Sequence, residues 1–218
     1  MNETNRLDLV IFGADGFARE VAALVEQATF GAVAFRLVAF IDDPNPGSTL
    51  RDRPVLHSRD LSEVGEPVFV VAVGNPGLRQ RIAVEAEAAG LRAAPPLVHP
   101  TVELDSERVS IGDGAVVCPR CTLTTDIEVG RHAQINLHCT VGHDVRLGDY
   151  ATLAPGVHIS GRVIVGRGAY FGTGAVTIDG TRDKPLVVGE DAVVGAGAVV
   201  TKEVPPAVTV VGVPARAR

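Results

Sequence analysis

In the second half of the chain a large aliphatic or aromatic residue returns every sixth position: Ile111, Val117, Leu123, Val129, Ile135, Val141, Leu147, Leu153, Ile159, Val165 and Phe171. The beat resumes at Val188, Val194 and Val200. A helix repeats its apolar face at about 3.6 residues and a half-buried strand at 2, so a strict six signals stacked repeats of short strands. Small residues stand two positions ahead, as at Ala115, Cys121, Ala133, Cys139, Ala151, Ala169, Ala175, Ala192 and Ala198, which pairs a large inward side chain with a small one at a corner. Gly follows the large residue at Gly112, Gly130, Gly142, Gly148, Gly166, Gly172, Gly189 and Gly195, where a turn is expected to need a permissive backbone. The pattern predicts a parallel β-helix of hexapeptides. Five extra residues between Thr177 and Val188, around residues 179–185, are expected to loop outward, where function tends to concentrate.

The first half follows another pattern. Leu7 to Phe12 reads as a buried strand, residues 13–16 as a tight loop, and Phe17 to Ala28 as a helix with Val21, Leu24 and Val25 on one face. Leu37 to Ile41 and Val68 to Val73 read as further strands, and Leu78 to Ala89 as a second helix. Strands alternating with helices predict a small parallel sheet that receives ligands at its carboxyl edge. Pro95-Pro96 marks the boundary, giving expected domains of 1–97 and 98–218.

Composition narrows the function. The 218 residues are 46% hydrophobic with 24 Gly and no Trp, which suits a stacked β-helix better than a helical bundle. A net charge of -6 argues against nucleic acid, whose binding draws on neutralised phosphates. No apolar run approaches the ~18 residues of a membrane span, and the start lacks the pattern of a signal peptide. A cytoplasmic location is therefore expected. Three cysteines are too few for a disulfide framework, and Cys118-x-x-Cys121 lacks the second pair of a zinc site, so no metal is expected. Cys121 and Cys139 should stack in neighbouring coils as free thiols.

The Gly13-Ala14-Asp15-Gly16 loop either holds phosphate at the start of the following helix or is a plain strand-to-helix turn. Asp42 and Asp43 either accept hydrogen bonds from a ribose or base, or are solvated turn acids before Pro44. His143, followed by Asp144, lies two positions after the inward Val141 and so on a turn. An imidazole there can take a proton from an amine or hydroxyl, and an acid beside it can fix the tautomer. Gly161 comes eighteen residues later, one coil on, which places it against His143.

Taken together, the segments 13–20 (GADGFARE), 40–43 (FIDD), 72–75 (AVGN) with Arg79, 98–100 (VHP), 136–144 (NLHCTVGHD) and 210–215 (VVGVPA) resemble the bacterial sialic acid O-acetyltransferase-like family. That family includes the N-acetyltransferases of nucleotide-linked 4-amino sugars. The resemblance covers nearly the whole chain and implies an α/β N-terminal Rossmann-like domain, binding a nucleotide sugar, followed by a left-handed parallel β-helix. It implies acetyl-CoA as co-substrate, a homotrimer with sites between neighbouring helices, His143 as general base and Asp144 as its partner. It further implies Gly161 N–H at the thioester carbonyl and Thr152 at a place near the thioester where several relatives carry His. Ala196 and Arg216 would lie along the CoA cleft, Arg216 being as readily a solvated tail charge. Gly13, Asp15, Gly16, Asp42, Asp43, Asn75, Arg79 and Asn136 would face the sugar nucleotide. Phe17 stands where the family's nucleotide loop often has His.

Two other classes bear on this reading. His138-x4-His143 has the spacing of two metal ligands in γ-class carbonic anhydrases, but Val102 stands where the third His belongs. A catalytically silent sugar-nucleotide sensor would keep the N-terminal motifs without turnover. The expected function is acetyl-CoA-dependent acetylation of a sugar, foremost the amino group of a nucleotide-linked 4-amino-deoxysugar, with O-acetylation of a sugar or sialic acid as the alternative.

Overall fold

The computed structural model describes residues 6–27 and 33–218. The N-terminal part runs β1 (Arg6–Phe12), α1 (Gly16–Val25), β2 (Ala34–Ile41), β3 (Thr49–Leu50), β4 (Arg53–Leu56), a short 3-10 helix (Ser58–Val64), β5 (Val68–Val71), α2 (Pro76–Ala88) and β6 (Arg92–Ala93). The sheet order is β3-β4-β2-β1-β5-β6, parallel except for the β3–β4 hairpin. Both expected helices form, although Ala28, the expected end of the first, lies outside the described residues. The hairpin carries no periodic signal because its strands are so short. Its turn uses Arg51 and Asp52 at φ 46° and 58°, the positive angles a tight hairpin needs, without the Gly or Asn that usually marks one.

From Leu97–Val98 onward short strands stack into three sheets that form a β-helix, parallel except for the last strand, Arg216–Ala217, which runs antiparallel to its neighbour. Large inward residues sit one above another, Val129 opposite Leu147, Val141 opposite Ile159 and Leu153 opposite Phe171, and they fuse into one continuous core. Val165 pairs with Val188 and Thr177 with Val200, so the five extra residues lie outside the ladder and the coils on either side keep register.

The repeated glycines serve a purpose other than the one expected of them. Gly112, Gly130, Gly142, Gly148, Gly166, Gly172, Gly189 and Gly195 are not in the left-handed region. That conformation falls two residues later, at Gly114, His132, Asp144, Tyr150, Gly168, Gly174, Asp191 and Gly197, with φ between 54° and 73°. What the first set avoids is collision with the next coil. A Cβ at Gly130 would lie 2.4 Å from Asp149 N, and one at Gly172 would lie 2.5 Å from Ala196 N. Strands about 4.8 Å apart leave no room for a side chain aimed along the stack.

Helix α1 covers one face of the N-terminal sheet together with Leu97, Val116 and Cys118 of the coils, and α2 covers the other together with Tyr150. Arg79 of α2 rivets the two parts. It is fully buried, its Nε donates to His132 O (2.9 Å), and Nη1 donates to Val73 O (2.7 Å) and Gln134 Oε1 (3.0 Å). Nη2 donates to Tyr150 O (2.5 Å) and Thr152 Oγ1 (2.7 Å). Gln134 also donates to Val71 O at 2.9 Å. Arg79, expected at the sugar nucleotide, spends its donors on these protein acceptors, and Thr152, expected near the thioester, is only 2% exposed. Both stand on faces that a single element leaves open and that the second domain covers.

Burial lowers the Arg79 guanidinium to about 9, so it is still charged at neutral pH. Beside it, His132 stacks between Phe69 (centroids 5.8 Å apart) and Tyr150 (5.2 Å), and neither ring nitrogen has a hydrogen-bond partner among the described residues. Burial holds His132 below its ordinary value; the charges of Arg131 and Arg79 act the same way, and Glu87, 3.6 Å from Nε2, opposes them.

Arg79→Met leaves these acceptors without a donor and should cost at least about 3 kcal/mol of unfolding free energy, read from urea denaturation. His132 should make stability acid-sensitive. The unfolded imidazole binds a proton near pH 6.5 while the folded one stays neutral, so stability falls as pH drops below that value. The urea midpoint of His132→Phe should fall less between pH 7 and 5 than that of the unaltered protein; equal slopes would exclude His132 as the cause.

Candidate active site

His143 and Asp144 leave the strand Thr140–Val141 at a corner of the β-helix. Gly142 N donates to Ile159 O (2.8 Å), His143 O accepts from Arg162 N (2.9 Å), and Asp144, in the left-handed conformation, donates its N–H to Thr125 O (3.3 Å). The corner backbone is thus tied to the coils on both sides. Both side chains are exposed, and His143 Nδ1 lies 2.7 Å from Asp144 Oδ2. A carboxylate only accepts, so Nδ1 carries a proton, and in the neutral imidazole Nε2 then presents the lone pair.

Nε2 overlies Gly161: a Cβ there would come within 2.7 Å of it. Asp144 is held below the usual carboxylate range, first by the His143 hydrogen bond and then by the charges of Arg162 and Arg182. Arg162 Nε approaches Asp144 Oδ2 at 3.7 Å. A groove of about 530 Å³ opens beside this corner along the third sheet, lined among others by Asp144, Arg146, Arg162, Thr181 and Arg182. The inserted segment therefore reaches this groove through Thr181 and Arg182. Gly161 N–H is not free: it donates to Asp179 Oδ1 at 2.7 Å.

The other expected site residues fall into two groups. At the carboxyl edge of the sheet, Gly13 has φ +107° and donates to Ile41 O (2.8 Å), while Asp15 is the N-cap of α1 and, like Gly16, is exposed. The side chain of Asp15 makes no cap hydrogen bond, which leaves the amides at the start of α1 open to an anion. Asp42 is half-buried beside them. Asp43, Asn75 and Asn136 hold local backbone. Asp43 accepts from Ser58 N (2.7 Å) and Ser58 Oγ (2.9 Å), Asn75 caps α2 through Leu78 N (2.9 Å), and Asn136 Nδ2 donates to Leu153 O (3.1 Å). Ala196 is exposed at a coil corner, and Arg216 is exposed on the last short strand, Arg216–Ala217.

An α/β unit docked on a hexapeptide β-helix, with an exposed His–Asp pair at a coil corner, has the architecture of an acyltransferase. Residues 8–86 match the PglD N-terminal domain. The chain is 35% identical to the GDP-perosamine N-acetyltransferase of Escherichia coli O157:H7, with 94% of each covered. WeeI from Acinetobacter baumannii AYE is 39% identical, superimposes with a TM-score of 0.85, and is matched over 98% of this chain and 100% of its own. PerB from Caulobacter crescentus, solved in complex with CoA and GDP-perosamine, is 31% identical with a TM-score of 0.84 over 97% of each chain. The chain belongs to the hexapeptide-repeat acetyltransferase family that includes the N-acetyltransferases of nucleotide-linked amino sugars. No helix among the described residues is long and apolar enough to cross a membrane.

Gly161→Ala tests the corner directly. The added methyl displaces the imidazole rather than the backbone, so kcat should fall roughly 10²-fold while the melting temperature changes little. Retained turnover would show that His143 need not lie over residue 161.

Proposed function

We infer that this protein transfers the acetyl group of acetyl-CoA to the amino group of a nucleotide-linked 4-amino-deoxysugar. The observation that carries the reading is the oriented His143: Nδ1 bound to Asp144 at 2.7 Å and Nε2 presented over Gly161. The similarity to GDP-perosamine N-acetyltransferase over nearly the whole chain supports the substrate class.

In this mechanism the sugar amine attacks the thioester carbon while His143 Nε2 takes the amine proton. Asp144 stabilises the imidazolium that results. The tetrahedral intermediate places negative charge on the former carbonyl oxygen, with Gly161 N–H as its donor, and then collapses by breaking the C–S bond. The departing CoA thiolate receives the proton from His143. A direct attack is favoured because all three cysteines are buried, with Cys118 pushed up to about 12 by burial, so no thiol is placed to carry an acyl group.

The sugar nucleotide would sit at the carboxyl edge of the N-terminal sheet, its phosphates at Gly13, Asp15 and Gly16 and its ribose or base at Asp42. Ala196 and Arg216 belong to the CoA end. A homotrimer in the cytoplasm completes the reading, the groove beside Asp144 facing a neighbouring copy. The unit boundary falls between β6 and the first coil strand, Leu97–Val98, one residue ahead of the expected division at 97/98.

Acetyl-CoA consumption against GDP-, UDP- and dTDP-linked 4-amino sugars and against sialic acid tests the substrate class; turnover with sialic acid alone would replace N- by O-acetylation. With the best acceptor, His143→Ala should lower kcat by roughly 10²–10⁴-fold and leave CoA affinity nearly unchanged, Asp144→Asn costing less. Near-normal turnover in His143→Ala at neutral pH would remove it as the base.

A further inference from the structure

The inserted segment brings a carboxylate back into the corner that holds His143. Asp179 Oδ1 takes the Gly161 N–H at 2.7 Å, and Gly180 N–H donates to Gly161 O at 2.9 Å. The root of the loop is pressed onto the same stretch of chain. A Cβ at Gly180 would lie 2.1 Å from Arg162 O, and Leu186 N donates to that oxygen at 3.1 Å. Thr181 N closes the loop on Lys184 O at 2.9 Å. Asp179 is therefore aimed at Gly161 by backbone packing rather than by a freely turning side chain.

One N–H serves one strong acceptor. A carboxylate is a stronger acceptor than a neutral carbonyl, whereas an oxyanion carries the same charge as the carboxylate. We propose that Asp179 is an internal competitor for the Gly161 amide, which the thioester carbonyl of acetyl-CoA gains only by displacing the carboxylate. This rests on the acetyl-transfer reading above. The neutral carbonyl of the bound thioester draws little affinity from Gly161, while the oxyanion that forms during attack competes on equal terms. The donor is thereby withheld from the ground state and made available as charge develops, the condition under which an interaction raises kcat. The inserted loop becomes a positioning element of the transfer step, with Asp179 acting through Gly161.

The test compares acetyl-CoA with S-ethyl-CoA, a thioether that lacks the carbonyl oxygen, by calorimetry on the full-length protein. In Asp179→Ala acetyl-CoA should bind about tenfold tighter and S-ethyl-CoA with unchanged affinity, because only the carbonyl uses the released N–H. Asp179→Asn, isosteric and with a neutral acceptor, should fall between. Any result in which both ligands respond alike overturns the proposal: equal tightening means relief of charge repulsion, equal loosening means a structural clamp, and no change in either means that the carbonyl does not meet Gly161. The comparison reads binding alone, so failure to acetylate any nucleotide-linked amino sugar overturns the functional reading separately.

Discussion

The Arg79 guanidinium is the constraint on which the rest of the structure depends. It is a full positive charge without a carboxylate partner among the described residues, buried where the loop after β5 meets two consecutive coils. Backbone carbonyls, the Gln134 amide oxygen and the Thr152 hydroxyl replace its hydration, and their directions match the planar fork of the side chain. Removing a charge from water costs several kcal/mol unless its hydrogen bonds are remade, so the two domains are held in the one arrangement that remakes them. The carboxyl edge of the sheet is thereby set rigidly on the coils that carry His143.

The corner that holds His143 follows from the pitch of the β-helix. One coil is eighteen residues, so Thr125, His143 and Gly161 form a column in which each backbone passes close to the next. Tight stacking explains why Gly stands at 142 and at 161: a Cβ at Gly142 would meet Gly161 N at 2.8 Å, and one at Gly161 would meet the His143 imidazole. The inserted segment breaks this regularity one coil later and delivers there an acid and an arginine that the repeat itself could not supply.

The same repetition governs which residues reach ligands. Along a coil strand, alternate side chains point inward to the core or outward, and the outward ones meet solvent, the N-terminal domain or a neighbour. Gln134 and Thr152 point outward by register yet are buried beneath α2, while His143 and Arg162 at the opposite corner stay open. Asn75 and Asn136 each engage a backbone group with one half of the side-chain amide, Asn75 through Oδ1 and Asn136 through Nδ2.

Much of the fold was legible because periodicity is a local property. The six-residue beat specifies strand length, inward face and coil, and the five-residue excess marks where the ladder must bulge. The alternation of strand and helix likewise specified the N-terminal sheet, apart from the β3–β4 hairpin and β6, whose strands of two to four residues are too short to carry a period. The adjacency of His143 to Asp144 and its one-coil spacing to Gly161 were legible for the same reason. The burial of Arg79 and Thr152, the isolation of His132 and the hold of Asp179 on Gly161 were not. Each joins residues far apart in the chain through the packing of two domains or the path of a loop, and such pairings are decided by three-dimensional closure, on which local spacing carries no information.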